Sequence, residues 1–264
     1  MTADPFDLSG RVVVVTGGLG LLGRQFTAAL ADRGARAVAL DLPLSDAPEP
    51  RAGVRVVHAD VRRRDSLEAA LATIRAEVGV PHALVNGAAI DSPPDAPASE
   101  NGPFEDYPLE SWNRVMDVNV TGVMLCCQVF GAAMAEAGRG SIVNVSSIYG
   151  LVSPDQRLYR YRAEDGAPFV KPVAYSASKS ALLNLSRYLA TYWAPRAVRV
   201  NTLTLAGVAN EQDARFLEGY AARIPVGRMA RPDEYNGAVV FLCSDASGYM
   251  TGANLVMDGG WTAW

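Results

Sequence analysis

The stretch Arg11-Val-Val-Val-Val-Thr16, followed directly by Gly17-Gly-Leu-Gly-Leu-Leu-Gly23, decides the fold of this chain. The β-branched run is typical of a buried parallel strand, and the apolar segment from Phe26 to Ala31 predicts a helix after the glycines. A strand, a glycine turn and a helix in this order form a cradle for a dinucleotide. The glycines let the backbone approach a pyrophosphate, whose charge lies at the helix N-terminus. The glycine spacing alone also fits a simple tight turn.

An acid at the end of the second predicted strand separates these two interpretations. The strand Ala37-Val-Ala-Leu-Asp41 ends 24 residues after Gly17. A carboxylate at this place accepts hydrogen bonds from the adenosine ribose and repels a 2′-phosphate. Leu42 and Pro43 follow it, without a basic residue. The sequence therefore predicts NAD rather than NADP.

Strand and helix patterns alternate through most of the 264 residues, which predicts a single α/β domain over 1–264. We expect a Rossmann-type, doubly wound parallel sheet of about seven strands flanked by helices. Long helices are predicted over Leu109 to Glu136 and from Tyr175 to about Trp193, and an exposed loop over Asp91 to Pro108. Ligands bind beyond the carboxyl ends of parallel strands. Six residues fall at such ends: Gly17, Asp41, Asp60, Asn86, Ser147 and Gly207.

Composition excludes several other classes of protein. The net charge of −4 gives no support for a nucleic-acid partner. No signal peptide is apparent in the polar, acidic start, and glycines or polar groups break the apolar runs, so we expect no membrane span. An odd number of cysteines without secretory context predicts a reducing cytoplasm and buried structural thiols. The cysteines and histidines form no metal-binding spacing, so no metal is predicted: Cys126, Cys127, Cys243, His58 and His82.

A candidate proton-transfer pair occurs in the run Val173-Ala-Tyr-Ser-Ala-Ser-Lys-Ser-Ala181. Tyr175 and Lys179 are four residues apart and lie on the same face of a helix. A phenol has an ordinary pKa of about 10, and a neighbouring ammonium favours the phenolate. Tyr175 is therefore a candidate proton donor and acceptor. The same spacing also occurs in surface helical pairs.

With these motifs in order, the chain resembles the short-chain dehydrogenase/reductase family over essentially its whole length. Thr16-Gly-x-x-Gly-x-x-Gly23 is similar to the family's cofactor loop, in the spacing of its longer, sugar-modifying members. Asp60-Val61 resembles the pair that contacts adenine. Asn86-Gly-Ala-Ala89 stands where the family usually has Asn-Asn-Ala-Gly. Arg199 to Gly207 resembles the strand and loop that hold the nicotinamide, with Ala206 in place of the usual proline.

The C-terminal half carries further family motifs. Gly227-Arg-x-x-x-Pro232 and Thr251-Gly…Asp258-Gly-Gly260 match the family's C-terminal blocks. Val118-Asn-Val-Thr-Gly122 resembles the segment whose asparagine supports a proton-relay water. Ser146-Ser147-x-x-Gly150 resembles the catalytic-serine segment.

The resemblance implies roles for four catalytic residues. Tyr175 exchanges a proton with the substrate oxygen, and Lys179 lowers the Tyr175 pKa and holds the nicotinamide ribose. Ser147 hydrogen-bonds the reacting oxygen, although it also fits a cap or turn former. Asn119 anchors a water between Lys179 and solvent, although it also fits a helix kink. The implied cofactor contacts are Gly17, Leu19, Gly20, Leu21, Leu22, Gly23, Asp41, Leu42, Asp60, Val61, Asn86, Gly87, Ala88, Tyr175, Lys179, Ala206, Gly207 and Val208.

An insertion of about 151–172 separates the predicted serine and tyrosine by 28 residues, about twice the family's usual spacing. Its cations predict contacts with phosphate or carboxylate, and its tyrosines contacts with a sugar or base. The expected substrate is therefore polar, anionic and sugar-like or nucleotide-linked, and a solvated charged loop is the alternative. A substrate loop is expected at about 207–226. Predicted substrate contacts are Ser147, Tyr149, Arg157, Arg160 and Tyr175, with Arg162 and Lys171 as further cations.

Several functions are compatible with these motifs. The first is an NAD-dependent dehydrogenase that interconverts a secondary alcohol and a ketone. A narrower likeness, in the serine segment, the insertion and the tail, is to bacterial dehydrogenases of flagellin-glycan and sialic-acid-like sugar pathways. The alternatives are a secondary-metabolite dehydrogenase acting on a nucleoside or cyclitol, an epimerase or dehydratase that retains NAD, and an idle NAD-binding scaffold.

The resemblance also implies a homo-oligomer, a dimer or tetramer. In this family the helices that correspond to those of Tyr175 and Asn119 pair across a dimer interface. Apolar residues along the Tyr175 helix fit such packing and fit an ordinary core equally well: Ala177, Ala181, Leu185, Leu189 and Tyr192. Trp261 and Trp264 are expected to reach a neighbouring subunit.

Overall fold

Seven parallel strands form one sheet in a computed structural model that describes residues 4–43, 49–91, 99–166 and 169–264. Their bounds are β1 Val12–Thr16, β2 Arg36–Asp41, β3 Arg55–His58, β4 Pro81–Asn86, β5 Gly140–Ser147, β6 Val198–Leu205 and β7 Asn254–Met257. The strand order is β3-β2-β1-β4-β5-β6-β7, so the chain changes direction of winding between β1 and β4. Such a switch point is where open parallel sheets bind ligands. The predicted doubly wound sheet is confirmed.

Helices cover both faces of the sheet. They are α1 Leu21–Asp32, α2 Arg64–Glu77, α3 Leu109–Glu136, α4 Arg160–Glu164, α5 Val173–Trp193, α6 Ala214–Ala221 and α7 Asn236–Cys243. One apolar core joins α2, α3 and α5 to the sheet, and a second joins α1 and α7 to its opposite face. Alternate residues of β1 enter the two cores, because successive strand side chains point to opposite faces. This explains the unbroken valine run.

The helix α3 corrects one expectation. It is long and apolar enough to span a membrane, with a mean hydropathy of 1.6 over its most apolar window, although we expected no such segment. In the fold, 61% of that window is buried inside the protein. Its residues Cys126, Phe130 and Met134 belong to the core against the sheet. The helix is therefore apolar because it packs inside the domain.

The segment predicted as an exposed loop over Asp91 to Pro108 is partly buried. Residues 92–98 lie outside the described part of the chain. Glu100 and Asn101 are buried, and Glu100 forms an ion pair with Arg114 of α3 at 2.5 Å. The Asn101 carbonyl accepts a hydrogen bond from the Val170 N–H at 2.8 Å. The segment therefore supports the insertion.

Candidate active site

A cavity of about 800 Å³ opens beyond the carboxyl ends of β4, β5 and β6. The predicted catalytic side chains Ser147, Tyr175 and Lys179 line it. So do several residues predicted to contact the cofactor or substrate: Leu22, Gly87, Tyr149, Ala206, Gly207 and Val208. Residues far apart in sequence therefore meet where the sheet topology predicts a ligand site.

Tyr175, Lys179 and Ser147 form one contiguous group. The Tyr175 hydroxyl is hydrogen-bonded to the Ser147 side chain. The Lys179 ammonium donates to the Val145 carbonyl at 2.9 Å, and its Nζ lies 5.7 Å from the centroid of the Tyr175 ring. The Ser147 Oγ also accepts from the Tyr149 N–H at 3.2 Å. A phenol, a hydroxyl and an ammonium are thus held together at the cavity wall.

A close crossing of α5 over the end of β5 produces this arrangement. A Cβ at Gly150 would lie only 2.8 Å from the Lys179 backbone, so a larger residue would push the helix away. Ser146 Oγ donates to the Lys179 carbonyl at 2.8 Å, and Ser180 Oγ donates to the Gly150 carbonyl at 2.8 Å. These contacts fix the helix register, and the register places Tyr175 beside Ser147.

Burial dominates the electrostatics of the pair. It lowers the pKa of Lys179 to about 8. Burial also raises the pKa of Tyr175 above its ordinary range, and the negative charge of Asp91 raises it further, whereas the hydrogen bond from Ser147 lowers it. We predicted that Lys179 would lower the Tyr175 pKa. In the protein alone, desolvation of the phenolate outweighs that effect, so Tyr175 is protonated near neutral pH.

Asn119 lies in a π-helical segment of α3, Asp117–Gly122, so the predicted helix irregularity is present. The side chain is fully buried. Its Nδ2 donates to the Ile90 carbonyl at 2.9 Å and to Ser178 Oγ at 3.0 Å, and its Oδ1 accepts from the Ile90 N–H at 2.8 Å. Asn119 therefore ties α3 to the chain after β4 and to the residue preceding Lys179. Its part in a water relay stays a prediction.

The glycine turn before α1 fits the pyrophosphate of a dinucleotide. Gly17 has a φ of +67°, and a Cβ at Gly23 would lie 2.0 Å from the Gly17 carbonyl oxygen. No side chain caps the N-terminus of α1, whose N-cap residue is Gly20. The first backbone N–H groups of a helix without a side-chain cap suit an anion. Leu19 lies in the turn and Leu21 is the first helical residue, and their contacts with a cofactor stay predictions.

The residues predicted to contact adenosine lie at the ends of β2 and β3. Asp41 Oδ2 accepts from the Leu19 N–H and Oδ1 from the Leu42 N–H, both at 2.9 Å. A second groove, of about 490 Å³, is lined by Leu42 and Asp60. A hydrogen bond from Arg62 lowers the pKa of Asp60. Val61 packs against the core beside α3.

The motif Asn86-Gly-Ala-Ala89 at the end of β4 lies at the switch point of the sheet. Asn86 Nδ2 donates to Asn144 Oδ1 at 2.8 Å and so links β4 to β5. The Thr16 hydroxyl accepts from the N–H groups of Gly87 and Ala88, each at 3.1 Å. Asn86 therefore stabilises the sheet at its switch point, and the backbone of Gly87 and Ala88 is held beside the glycine turn.

The insertion contributes much of the cavity wall, and of its four predicted cations Arg162 and Lys171 line the cavity whereas the other two do not. Arg157 and Arg160 lie outside the wall: Arg157 is exposed and pairs with Asp155 at 2.8 Å, and Arg160 is exposed. The 3₁₀ turn Gln156–Tyr159 directs its apolar residues inward, so its neighbouring arginines face outward. The residues of the insertion that do line the cavity are Tyr159, Tyr161, Arg162, Asp165, Phe169 and Lys171.

Beyond the tyrosines of the insertion, the cavity has aromatic residues that sequence reasoning did not predict: Phe169, Phe216 and Tyr220. Tyr159 packs on Phe169 with ring centroids 4.7 Å apart, and Phe216 and Tyr220 of α6 continue this wall. Tyr220 also accepts a hydrogen bond from the Gly207 N–H at 2.7 Å, within the predicted substrate loop. These positions show no catalytic motif, and only the tertiary fold brings them together.

Known proteins match the chain over nearly its full length. A family model described as Enoyl-(Acyl carrier protein) reductase matches residues 21–262. The D-threitol dehydrogenase of Mycolicibacterium smegmatis is 36% identical over 269 residues, covering 97% of this chain and 95% of that protein.

Solved structures share the fold. A short-chain dehydrogenase from Leptospira borgpetersenii with bound NAD+ has a TM-score of 0.86 and 30% identity, covering 99% of this chain and 97% of that one. A gluconate 5-dehydrogenase from Burkholderia cenocepacia in complex with NADP and tartrate has a TM-score of 0.84 and 27% identity, with 99% and 98% covered. With this coverage by the family model and by a relative above 30% identity, the chain belongs to the short-chain dehydrogenase/reductase family and is an NAD(P)-dependent oxidoreductase.

Proposed function

We propose that this chain is an NAD-dependent dehydrogenase that interconverts a secondary alcohol and a ketone on a small, uncharged polyhydroxy substrate. The observation that carries the proposal is the hydrogen-bonded pair of Tyr175 and Ser147 on the wall of a cavity. Two hydroxyls that can donate and accept can bind the substrate oxygen both as an alcohol hydroxyl and as a ketone carbonyl.

In the proposed reaction, the Ser147 and Tyr175 hydroxyls hold the substrate oxygen. During oxidation Tyr175 first gives its own proton to solvent, and the phenolate then takes the O–H proton of the alcohol while the C–H bond breaks and a ketone forms. NAD, when bound, accepts the hydride, so that alcohol and NAD+ give ketone, NADH and a proton. Lys179 keeps a positive charge beside the phenol as the proton moves. In reduction, the protonated Tyr175 is the proton donor.

The charges around the cavity favour a neutral substrate over the anionic one predicted. Four carboxylates line it, together with the cations Arg162, Lys171 and Lys179. Lys171 is already paired with Asp91. The carboxylates on this wall are Asp91, Asp165, Glu211 and Asp213, and Asp165 and Asp213 are paired with Arg215, so the wall largely balances its own charges and suits a neutral substrate. The aromatic side fits the C–H faces of a carbon skeleton. The D-threitol dehydrogenase relative supports this class.

Asp41 supports the choice of NAD. Its carboxylate is fixed by two backbone N–H groups at the end of β2. A fixed negative charge beside the adenosine ribose opposes a 2′-phosphate. The structural neighbours include both an NAD+ complex and an NADP complex, so this choice rests on Asp41.

A second candidate function is a dehydrogenase of an acidic sugar, as in flagellin-glycan or sialic-acid-like pathways. The observation that favours it is Arg162, which lies on the cavity wall and places its guanidinium 5.5 Å from the Phe169 ring centroid. A carboxylate substrate has a partner there. The neighbour named a gluconate 5-dehydrogenase acts on such an anion.

One assay tests these proposals. Purified protein is incubated with NAD+ or NADP+ and D-threitol, galactitol, glycerol, glucuronate or a hexose phosphate, and absorbance at 340 nm is followed. We expect NADH formation with the neutral polyols. NADH formation only with glucuronate or the hexose phosphate, and its loss in Arg162→Ala, would favour the second candidate. The matched control Arg157→Ala removes a guanidinium outside the cavity and should leave KM unchanged. Conversion without net NADH would indicate the epimerase alternative.

We also propose that the chain is a homo-oligomer. Tyr188 and Tyr192 of α5 are stacked with centroids 6.1 Å apart and are both largely exposed, as is Trp264. Leu185 and Leu189, by contrast, pack against the core. Light scattering on the eluted peak of a size-exclusion column gives the mass, and a monomer at micromolar concentration would exclude this proposal.

A further inference from the structure

Both lysines of the chain lie beside the ring of Tyr175. Lys171 Nζ is 5.3 Å and Lys179 Nζ is 5.7 Å from its centroid. Lys179 belongs to the motif on α5, whereas Lys171 comes from the insertion and has no role in the reaction described above. Lys171 forms an ion pair with Asp91, which follows the end of β4. An ion pair between Lys171 and Asp91 is thus part of the reaction site.

Lys171 is held rigidly in this place. Its side chain is only 8% exposed. Its backbone N–H donates to Gln156 Oε1 at 2.8 Å, and its carbonyl accepts from Gln156 Nε2 at 3.1 Å. Both backbone groups of the lysine are thereby fixed by one side chain of the insertion. A buried ammonium requires a partner, and Asp91 supplies it.

Asp91 faces the cavity from the other end of the pair. Its side chain is 43% exposed, and it lines the same wall as Tyr175 and Ser147. A carboxylate has about four acceptor positions, so one that is held by an ammonium can also accept a hydrogen bond from a ligand hydroxyl. Because Lys171 balances the charge of Asp91, the pair does not require a cationic ligand. Neutral hydroxyl donors are the chemistry that matches it, since they form charge-assisted hydrogen bonds with a carboxylate.

We propose that Asp91, positioned by Lys171, accepts a hydrogen bond from a substrate hydroxyl on the carbon next to the reacting carbon. This proposal rests on the proposed function, because it presupposes that Tyr175 and Ser147 bind the reacting oxygen. The pair selects vicinal diols and polyols over simple secondary alcohols. A substrate without the second hydroxyl displaces water from the site but gives Asp91 no hydrogen bond in return. A site built to bind a hydroxyl discriminates strongly against such a substrate.

Glycerol and isopropanol test the proposal, since both present a secondary alcohol on three carbons and only glycerol has neighbouring hydroxyls. The measured quantity is the ratio of kcat/KM for glycerol to kcat/KM for isopropanol with NAD+. Asp91→Asn, which keeps the shape and removes the charge, should lower this ratio about 10- to 100-fold. Lys171→Met should also lower it, through a raised KM for glycerol, because the carboxylate loses its orientation.

Asp165→Asn is the matched control, because Asp165 lines the same cavity and is paired with Arg215 at 2.5 Å instead. Its ratio should stay within about twofold of wild type. NADH binding, followed by fluorescence, shows that each variant is folded.

The outcomes separate two failures. A wild-type protein that oxidises glycerol while Asp91→Asn retains the wild-type ratio overturns the hydroxyl-binding role and leaves the dehydrogenase intact. Equal losses for both alcohols, with the ratio unchanged, overturn it as well. If the wild-type protein binds NADH but oxidises neither the polyols of the assay under the proposed function nor glycerol or isopropanol, the proposed function is refuted, and the role of Asp91 with it.

Discussion

Replacement of Tyr175 by phenylalanine separates catalysis from stability, because it removes one oxygen and leaves the ring in place. The ring keeps its contacts with the ammonium groups of Lys171 and Lys179, 5.3 and 5.7 Å from its centroid. The hydrogen bond between the phenol and Ser147 is lost. Ser147 Oγ still accepts from the Tyr149 N–H at 3.2 Å. The change is therefore confined to one donor and acceptor at the reaction site.

Two magnitudes follow from this geometry. A neutral intramolecular hydrogen bond contributes about 1 kcal/mol net, and in a protein of this size that corresponds to a fall in Tm of about 2–4 °C. A general acid or base contributes about 100- to 10,000-fold to the rate. Tyr175→Phe should therefore lower kcat by at least about 100-fold while the protein stays folded and binds NADH.

The assay compares Tyr175→Phe with Tyr159→Phe. Tyr159 is also a buried phenol of the cavity wall and is hydrogen-bonded to Tyr149. Its loss should change Tm by a similar amount and kcat by less than about fivefold, because it does not contact Ser147 or Lys179 in the described arrangement. Tm is measured by scanning calorimetry and kcat with the best polyol of the panel. If Tyr175→Phe retained more than about a tenth of the wild-type kcat, Tyr175 would not be the proton-transfer group.

Three further predictions concern charge, backbone and cofactor. Burial lowers the folded-state pKa of Lys179 from 10.5 to about 8, so the unfolded chain binds this proton more tightly, and stability is gained as pH rises above 8. When the free energy of unfolding is measured in urea, the value for wild type should rise by about 2 kcal/mol between pH 7.5 and 9.5 relative to Lys179→Met. The same dependence on pH in both proteins would contradict this. Gly23→Ala should prevent NADH binding, because its Cβ would lie 2.0 Å from the Gly17 oxygen, whereas Gly237→Ala has open space and should bind NADH normally, as fluorescence titration will show. Asp41→Ser should raise the NADP+/NAD+ ratio of kcat/KM at least about tenfold, and an unchanged ratio would assign cofactor choice to other residues.

The sheet could be predicted from sequence because its signals are local. The bounds of α3 agree with those predicted, as do those of β7, whose sequence pattern covers Asn254–Met257, and the valine run of β1 is buried as expected. The sequence patterns of β5 and β6 cover Ser141 to Val145 and Val198 to Leu203, but the strands reach Ser147 and Leu205, which pair in register. Serine is a weak strand former, so the sequence pattern ends before the strand does. Pairing with a neighbour, which no local pattern records, extends it.

In the candidate site too, the residues with a local sequence signal could be predicted and those that meet only through the tertiary fold could not. Tyr175 and Lys179 could be predicted because a spacing of four residues places them on one face of a helix, and Ser147 because its segment resembles the family's catalytic-serine segment. The pairing of Asp91 with Lys171 spans 80 positions and depends on how the insertion folds. Sequence reasoning assigned the insertion's cations to an anionic substrate, because it could not show which of them already had partners within the chain. One sequence signal singled out Lys171, namely that lysine occurs only twice in the chain.

The chemistry of the reaction site favours lysine over arginine beside Tyr175. Of 24 basic side chains only two are lysines, and both lie beside Tyr175. An arginine in place of Lys179 would keep its charge at any working pH and would need room for a planar, five-donor group, whereas an ammonium is compact and shifts its pKa on burial. Burial lowers the pKa of Lys179 to about 8, so its charge depends on pH just above neutrality. Lys171, neutralised by Asp91, adds a fixed contact without a net charge. We therefore expect Lys179 to act on the proton-transfer group and Lys171 to shape the site, and only Lys179 is part of the motif that resembles the family's.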